Sequence, residues 1–472
     1  MNDLHLQTAG ALANRIRSGE LSPVTLCEHL LERSRGLDPK LNAFRLLAED
    51  RALAAAEAAA VQIRAGQYLG PLHGIPYVTK DLFDVAGLPT TAGSKTLERQ
   101  IARGDSGVTA RLAQAGMVLL GKTNTVEFAF GSVGINHSHG TPHNPWAEEH
   151  RVPGGSSSGS AVAVAAGLAP LATGTDTACS VRTPAALCGI VGLKTTVGRI
   201  SRAGVHPLSS TLDSVGSLGR CVADVAQMFS AMQGPDPADP STHGVAPEDV
   251  LTTLRDGVAG LRVAFAEGLL FEQLDAEVER AVRACGAVFE DLGARVTNID
   301  FAAAAEVMAE PSVISQVEGY AVNESRLLRD PHDIDPIVLE RMNPGGAVKA
   351  VDYRRALDRL VPLRQQTQRL FDRVDVLLAP TCMWPAAAVR EVDQDFETYM
   401  RYAYGYLRNC FVGNLLNLCA VTLPCGFTAS GLPIGLMVYA RPFHEHTALR
   451  VARAYEQATP WHQRQPQLAW AG

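Results

Sequence analysis

The apolar positions near the N-terminus of this 472-residue chain have helical spacing. In LSPVTLCEHLLERSRGLDPKLNAF, Ser22 has a side chain suited to an N-cap and Pro23 suits the first helical position. The alanine-rich stretch 52–65 continues the helical character. The pattern predicts an N-terminal helical layer over residues 1–65.

The pattern changes after this layer. From GIPYVTKD, residues 74–81, to about Gly219, short β-branched runs alternate with glycine turns and small-residue helices, which is typical of an α/β sheet. Residues 233–250 are rich in proline, aspartate and glycine, so they predict a surface connection.

The C-terminal half alternates between strand and helix patterns. LRVAFAEG at 261–268 and ARVTNID at 294–300 predict two strands, and the apolar stripe between Leu274 and Leu292 predicts the helix of a β-α-β unit. Residues 305–370 have a mainly helical pattern. Further on, DVLLAPT and AVTLPCG predict buried strands, and HEHTALRVARAYEQAT predicts a closing helix. The alternation favours one mixed sheet covered by helices.

Composition narrows the class of protein. The chain is 46% hydrophobic and 19% charged with a formal net charge of −7, and it has no Lys/Arg cluster that would indicate a nucleic-acid surface. Its first twenty residues mix both charge signs, and no apolar run is long enough to span a bilayer. Nine cysteines without a C-x-x-C pair predict reduced core thiols. We therefore expect a cytoplasmic protein that contacts neither nucleic acid nor membrane.

The stretch PGGSSSGS at 153–160 raises the question of a serine nucleophile. Residues 155–159 fit the G-x-S-x-G pattern of a nucleophile elbow with Ser157 at its tip, but an elbow needs a strand that runs directly into the serine. The preceding HNPWAEEHRVP is too polar to be that strand. The alternative is a glycine-serine helix entry with exposed amides.

Ser180 lies at a better junction. APLATGTD predicts a strand, TACS a tight turn and VRTPAALCG a helix, so consecutive N–H groups around Ser180 can converge on a developing oxyanion. None of the 13 histidines lies in either serine segment, although a distant histidine stays possible as the base. Lys80 ends the apolar run GIPYVT; burial would favour its neutral amine as a base, and the alternative is a solvated strand-end lysine.

These segments together resemble the amidase signature family. GIPYVTKD resembles its lysine motif, PGGSSSGSAVAVAAGLAPLATGTDTACSVRTPA its glycine-serine signature, and GLPIGLMVYARPFHEHTALRVARAYEQAT its C-terminal strand and helix. The resemblance implies a single α/β domain with a large mixed central β-sheet covered by helices on both faces. Beyond the layer 1–65, the signature domain would cover 66–472, with its core at 70–220 and a variable substrate-lining region at about 305–410.

The resemblance also implies a Ser-cisSer-Lys triad. Ser180 would be the nucleophile, Ser156 the bridging serine after a cis Gly155–Ser156 peptide, and Lys80 the base, with hydrolysis of an amide-type C–N bond through an acyl-enzyme. The spacing of 76 residues from Lys80 to Ser156 and 24 from Ser156 to Ser180 is close to that of the family. The resemblance implies no metal and no cofactor.

The family's oxyanion hole is built from backbone N–H groups, which here would belong to Thr177, Ala178, Cys179 and Ser180. The side chains implied to support this loop are those of Ser157, Asp176 and Arg182. Most relatives have two glycines where this chain has Ala178 and Cys179, so a positive φ there would be costly and the acyl pocket would be narrowed. Cys179 is also a rival nucleophile.

The predicted substrate is a small-molecule amide, carbamate or ester, cleaved by a monomer or homodimer. Substrate-contacting residues are expected in segments 125–140, 305–345 and 380–410. An aromatic or apolar lining, or alternatively ordinary helix-packing core, is predicted from Met383, Trp384, Tyr399, Tyr402 and Tyr404.

Three other functions stay open. The first is the glutamine-hydrolysing A subunit of a tRNA-dependent amidotransferase, a member of the same family. The second is a metal hydrolase that uses His137, His139, His143 and His150, although their spacing is not H-E-x-x-H. The third is a scaffold protein whose altered oxyanion loop has lost activity.

Overall fold

A computed structural model describes residues 3–309 and 313–472. Eleven strands of these residues pair into one mixed sheet. In chain order they are β1 Phe44–Leu47, β2 Pro76–Lys80, β3 Val118–Thr123, β4 Leu171–Asp176, β5 Val191–Lys194, β6 Ser214–Gly219, β7 Arg262–Glu267, β8 Arg295–Asp300, β9 Val376–Pro380, β10 Cys419–Phe427 and β11 Pro433–Ala440. Their spatial order is β1-β3-β2-β4-β6-β5-β10-β11-β9-β7-β8. Strand β2 runs parallel to both β3 and β4, and β7 runs parallel to both β8 and β9.

The helices lie between and around these strands. In chain order they are α1 Ala9–Arg17, α2 Pro23–Leu41, α3 Glu49–Arg64, α4 Gly107–Gln114, α5 Ser158–Ala165, α6 Arg182–Leu187, α7 Val222–Met232, α8 Val250–Thr253, α9 Ala276–Asp291, α10 Ala302–Val307, α11 Val313–Arg329, α12 Pro336–Met342, α13 Ala350–Leu370, α14 Val389–Val392, α15 Phe396–Leu415 and α16 Glu445–Ala458. In the part of the chain that the structure describes, no helix combines the length and the apolar character that crossing a bilayer requires.

Both faces of the sheet are buried under helices. Successive strand residues point to opposite faces, so Leu436 and Val438 of β11 join the apolar cluster that contains α9 and α16. Met437 and Tyr439 join the opposite cluster, which contains residues of α10, α13 and α15. The predicted α/β fold with helices on both faces is confirmed.

Most helices and strands lie where the sequence patterns predicted them. The main difference between prediction and structure is in the N-terminal layer. Helix α2 begins at Pro23, and the Ser22 side chain accepts a hydrogen bond from the Val24 N–H as predicted. The stretch 1–65 also contains a strand, however. Asn42 adopts a left-handed conformation with φ 50° that ends α2, and the extended residues of β1 then pair antiparallel with β3.

Two further expectations concern composition. All nine cysteines are buried and unpaired, as predicted. The connection 233–250 lies only partly on the surface, because Asp239 is buried and accepts a 2.7 Å hydrogen bond from the Arg202 N–H. The polar composition of this segment therefore reflects side chains that bind backbone groups as well as exposure to water.

Candidate active site

The edge of the sheet where β2 and β4 end brings the predicted catalytic residues together. The two strands are parallel, with Val78 opposite Ala172, so both chains leave the sheet at the same edge. Lys80 is the last residue of β2. Asp176 is the last residue of β4, and residues 177–181 then form a short loop into α6.

Lys80 is fully buried beside two hydroxyls. Its Nζ lies 2.7 Å from Ser156 Oγ and 2.9 Å from Thr175 Oγ1, and no described carboxylate forms an ion pair with it. Burial lowers the pKa of Lys80 to about 7, against the opposing charges of Asp176 and Asp213. Lys80 is therefore not a solvated strand-end lysine, and near neutral pH much of it is a neutral amine.

Ser156 is held by its backbone. The Gly155–Ser156 peptide is cis, as the resemblance implied. The carbonyl of Ser156 accepts hydrogen bonds from Thr125 Oγ1 at 2.8 Å and from the Val126 N–H at 3.2 Å. These contacts fix the peptide that carries the hydroxyl beside Lys80.

Ser157 links the two serine segments. Its N–H donates a hydrogen bond of 3.2 Å to the carbonyl of Ser180, and its hydroxyl lies 3.4 Å from the carbonyl of Thr175. Ser180 lines a cavity and is 3% exposed. Within residues 3–309 and 313–472 the Ser180 hydroxyl has no hydrogen-bond partner, so it is available to a substrate.

In the loop after β4, two carbonyl groups accept hydrogen bonds while three N–H groups have no partner among the described residues. The carbonyl of Ala178 accepts from Arg182 Nη2 at 3.3 Å, and that of Cys179 accepts from the Thr183 N–H at 2.8 Å. The N–H groups of Ala178, Cys179 and Ser180 have no partner among the described residues. Such a set of free donors is suited to a developing oxyanion.

The substitution of the usual glycine pair leaves the loop backbone unstrained. Neither Ala178 nor Cys179 has a positive φ, so the predicted conformational cost does not arise. The Cys179 thiol is 1% exposed and donates to the carbonyl of Gly155 at 3.6 Å. Burial raises the pKa of this thiol far above its ordinary value, so the side chain stays protonated and is a poor nucleophile.

A buried ion pair braces the same loop. Arg182 donates to both carboxylate oxygens of Asp176, with Nη2–Oδ1 at 2.9 Å and Nε–Oδ2 at 3.0 Å, and Asn414 bridges the two side chains. Burial alone would raise the pKa of Asp176, but the charge of Arg182 brings it down to about 2. The carboxylate also accepts from the Val181 N–H, which fixes the start of α6.

Two further acidic residues support the loop, and neither was predicted from the sequence. Asp213 accepts a 2.6 Å hydrogen bond from Thr177 Oγ1 and holds the N–H groups of Leu208 and Ser209. Glu318 on α11 accepts from the hydroxyls of Ser209, Ser210, Thr211 and Tyr353. Glu318 thus positions the loop that contains Asp213, and through it Thr177.

We expect Glu318→Gln to lower kcat by about tenfold with a smaller change in KM, because a neutral amide cannot accept from all of these hydroxyls. Steady-state kinetics and melting temperature are the measurements. Asp213 keeps its charge in this variant, so the pH midpoint of the activity should stay close to that of the parent chain. A drop in melting temperature with kcat unchanged would contradict a positioning role.

The cavity beside Ser180 has a volume of about 230 Å³ and is mostly apolar. All three segments predicted to contact substrate contribute to it. Residues 129–132 line it from the first segment, Arg341 from the second, and Met400, Tyr404 and Leu407 from the third. Arg341 is the one charged side chain of the described lining. Its guanidinium donates to the carbonyl of Phe130 at 2.7 Å.

Of the five side chains predicted as an apolar or aromatic lining, Tyr404 alone lines this cavity. Trp384, Tyr399 and Tyr402 pack with Tyr406 in a separate apolar cluster, and Met383 is buried. For the three tyrosines, which lie on α15, helical spacing explains the difference, because two faces of this helix carry large apolar side chains. The cavity face carries Met400, Tyr404, Leu407 and Phe411.

The four clustered histidines have other partners. His137 lies between Asp335 at 2.9 Å and Asp393 at 3.0 Å, His139 is 3.8 Å from Glu98, and the rings of His143 and His150 stack at 4.5 Å. Among the residues described, no group of three or more His, Cys, Asp or Glu side chains is arranged to hold a metal ion. These histidines are therefore tied to structural contacts.

Comparisons with known proteins cover nearly the whole chain. A family model described as Amidase matches residues 25–449. An amidase of Pseudomonas putida is 38% identical over 475 residues, which cover 100% of both proteins. The A subunit of a glutamyl-tRNA(Gln) amidotransferase from Synechococcus sp. (strain JA-3-3Ab) is 38% identical, with 97% of this chain and 93% of that relative covered. The solved structure of 6-aminohexanoate cyclic dimer hydrolase complexed with substrate has a TM-score of 0.90 at 29% identity, covering 98% of this chain and 99% of the other.

Proposed function

The chain belongs to the amidase family and is a hydrolase of C–N bonds, and we propose that it cleaves small-molecule amides through Ser180, Ser156 and Lys80. The observation that carries the proposal is the buried Lys80 amine, which lies 2.7 Å from the Ser156 hydroxyl without a carboxylate partner among the described residues. A lysine in this setting can be neutral and can accept a proton.

The proposed reaction is a two-step acyl transfer. Neutral Lys80 takes a proton from Ser156, which takes the proton of Ser180 as Ser180 Oγ attacks the amide carbonyl. The free N–H groups of residues 178–180 stabilise the oxyanion. The relay then returns a proton to the leaving amine, and water cleaves the acyl-enzyme by the same route.

The cavity supports a preference within the amide class. Phe130, Met400, Leu407 and Phe411 give it apolar walls, which favour an apolar or aryl group on the substrate. Arg341 has no carboxylate partner in ion-pair contact among the residues described, so it can pair with a carbonyl or carboxylate oxygen of the substrate. A volume of about 230 Å³ limits the part of the substrate that enters to a small group.

A substrate panel tests the proposal. We expect the purified chain alone to release amine and acid faster from aryl and apolar amides than from small polar amides. Mass spectrometry measures the release of both products. Amides that carry a free carboxylate should have a lower KM than the same amides with that carboxylate esterified. Arg341→Gln should abolish this difference in KM. Failure to hydrolyse any amide, carbamate or ester would contradict the proposal.

The second candidate is the A subunit of a tRNA-dependent amidotransferase. It is favoured by the relative of that name, which matches 97% of this chain at 38% identity. Such a protein in isolation is expected to need its partners, so glutamine is the discriminating substrate in the same panel. Hydrolysis of glutamine only after a partner protein is captured and added would favour this candidate; aryl-amide hydrolysis by the chain alone would favour the first.

A further inference from the structure

A second cavity, of about 590 Å³, lies at the far ends of the two helices that begin beside the active-site serines. Helix α5 starts just after Ser157, and its C-terminal end at 165–167 lines this cavity. Helix α6 starts just after Ser180, and residues 188–190 beyond its end line the same cavity. The other walls come from His5, Leu6 and Thr8, from helix α2, from Trp146, from residues 220–221 and from the C-terminal residues 462–469. None of the described lining residues is shared with the cavity at Ser180.

The charged side chains that line this second cavity are all basic. They are Arg33, Arg220 and Arg464, and no aspartate or glutamate is among the described lining residues. His5 and His462 also line the cavity, but burial lowers the pKa of both imidazoles. In the described part of the chain, none of the three arginines forms an ion pair with a carboxylate. The positive charge of these guanidinium groups is therefore not paired with a carboxylate in direct contact.

Backbone carbonyls offset only part of this charge. Arg33 donates to the carbonyl of Ala166 at 2.9 and 3.1 Å, and Arg220 donates to the carbonyls of His5 and Gln7. The nearby Asp224 carboxylate accepts hydrogen bonds from the N–H groups of Ala9 and Gly10, and its negative charge acts on Arg220 through space. A helix C-terminus carries about half a negative charge, so the ends of α5 and α6 and the Asp224 carboxylate reduce the positive charge of the cavity without pairing directly with its guanidinium groups.

The pKa of His5 depends mainly on burial and also on nearby arginine charges. Burial lowers the pKa of His5 to about 4, and the charges of Arg33 and Arg220 contribute to that shift. Burial and then Arg220 likewise lower the pKa of Arg33. A bound anion would relieve this repulsion.

We propose that this cavity binds a small organic molecule carrying two or more oxyanion charges, of the phosphate or carboxylate type. Guanidinium groups match both oxyanions through paired N–H donors. The volume exceeds the need of a single inorganic ion, and Leu37, Trp146 and Ile190 supply apolar wall for a carbon skeleton. The site is separate from the catalytic serines and does not depend on their assignment.

The test uses inorganic pyrophosphate and citrate as probes for phosphate and carboxylate, titrated at constant ionic strength and followed by calorimetry and by melting temperature. We expect at least one probe to bind saturably and to raise the melting temperature. Arg33→Gln and Arg464→Gln should each weaken that binding by about tenfold. Arg464→Gln is the safer variant for folding. Arg33 donates hydrogen bonds to the carbonyl of Ala166, whereas the guanidinium of Arg464 lies over the Phe427 ring, 4.2 Å from the ring centre.

Two variants serve as controls. Arg35→Gln is the matched control for Arg33→Gln, because both variants remove one arginine charge from α2. Arg35 pairs with Glu49 and does not line the cavity, so binding should be unchanged. Ser180→Ala should bind the probe like the parent chain, which separates this proposal from the catalytic one. Absence of saturable binding by both probes, or equal weakening in Arg35→Gln and Arg464→Gln, would overturn the proposal.

Discussion

Ser180→Ala is expected to reduce the kcat of amide hydrolysis by about 10⁴-fold or more with little change in melting temperature. The Ser180 hydroxyl has no hydrogen-bond partner among the described residues, so its removal costs no native contact. Without it the acyl-enzyme cannot form, and the free N–H groups of the loop stabilise no covalent intermediate. Steady-state kinetics and mass spectrometry of acid-quenched enzyme measure both effects: the parent chain should carry an acyl adduct on the peptide that contains Ser180.

The matched control is Ser157→Ala, since Ser157 occupies the tip of the G-x-S-x-G match. Its hydroxyl makes one contact of 3.4 Å with the carbonyl of Thr175, and its link to Ser180 uses the backbone N–H, which alanine keeps. We expect a loss of less than about tenfold. An acyl adduct on Ser157 or Cys179, or near-parental activity in Ser180→Ala, would be incompatible with Ser180 as the nucleophile.

The strand-turn-helix junction at Ser180 could be predicted because its signals are local. The apolar run before Asp176, the small residues of the turn and the helix pattern after Val181 all lie within twenty residues. The resemblance to the amidase signature family rests on such ordered local motifs, and the family match confirms it. The cis peptide before Ser156 followed from that resemblance and not from the residues themselves.

Contacts between distant segments could not be predicted in this way. Glu318 is one acidic residue on a helix, and nothing in its neighbourhood indicates that it binds hydroxyls more than 100 positions earlier. The residues that line the cavity at Ser180 could not be predicted for a related reason. Helix α15 has bulky apolar residues on two faces, and only the tertiary structure decides that Tyr404 faces the cavity while Tyr399 packs inward.

The chemistry of Lys80 also depends on tertiary structure. Its position at the end of an apolar run favours burial, but its pKa depends on which charges surround it. Arg182 neutralises Asp176, and the Asp213 carboxylate is engaged by Thr177 and by two N–H groups. The two nearest carboxylates therefore raise the pKa of Lys80 less than burial lowers it.

The second large effect is on pH dependence: kcat/KM is expected to rise with pH and to reach half its plateau near pH 7. Burial lowers the pKa of Lys80 to about 7, and only the unprotonated amine can accept the Ser156 proton. Activity therefore falls as pH drops through that value, by about tenfold per unit well below it. Lys80→Ala should lose about 10²- to 10⁴-fold and this ascending limb with it, and Lys80→Arg should not rescue activity because guanidinium stays charged.

A control for this assignment changes the charge near Lys80 without touching the amine. Asp213 raises the pKa of Lys80 by its negative charge, so Asp213→Asn should lower that pKa and move the ascending limb to lower pH. The same variant weakens the hold on Thr177 and should reduce the plateau, but a loosened loop alone would leave the midpoint where it was. A profile that stays flat down to about pH 5, or a limb that moves to higher pH in Asp213→Asn, is incompatible with Lys80 as the base.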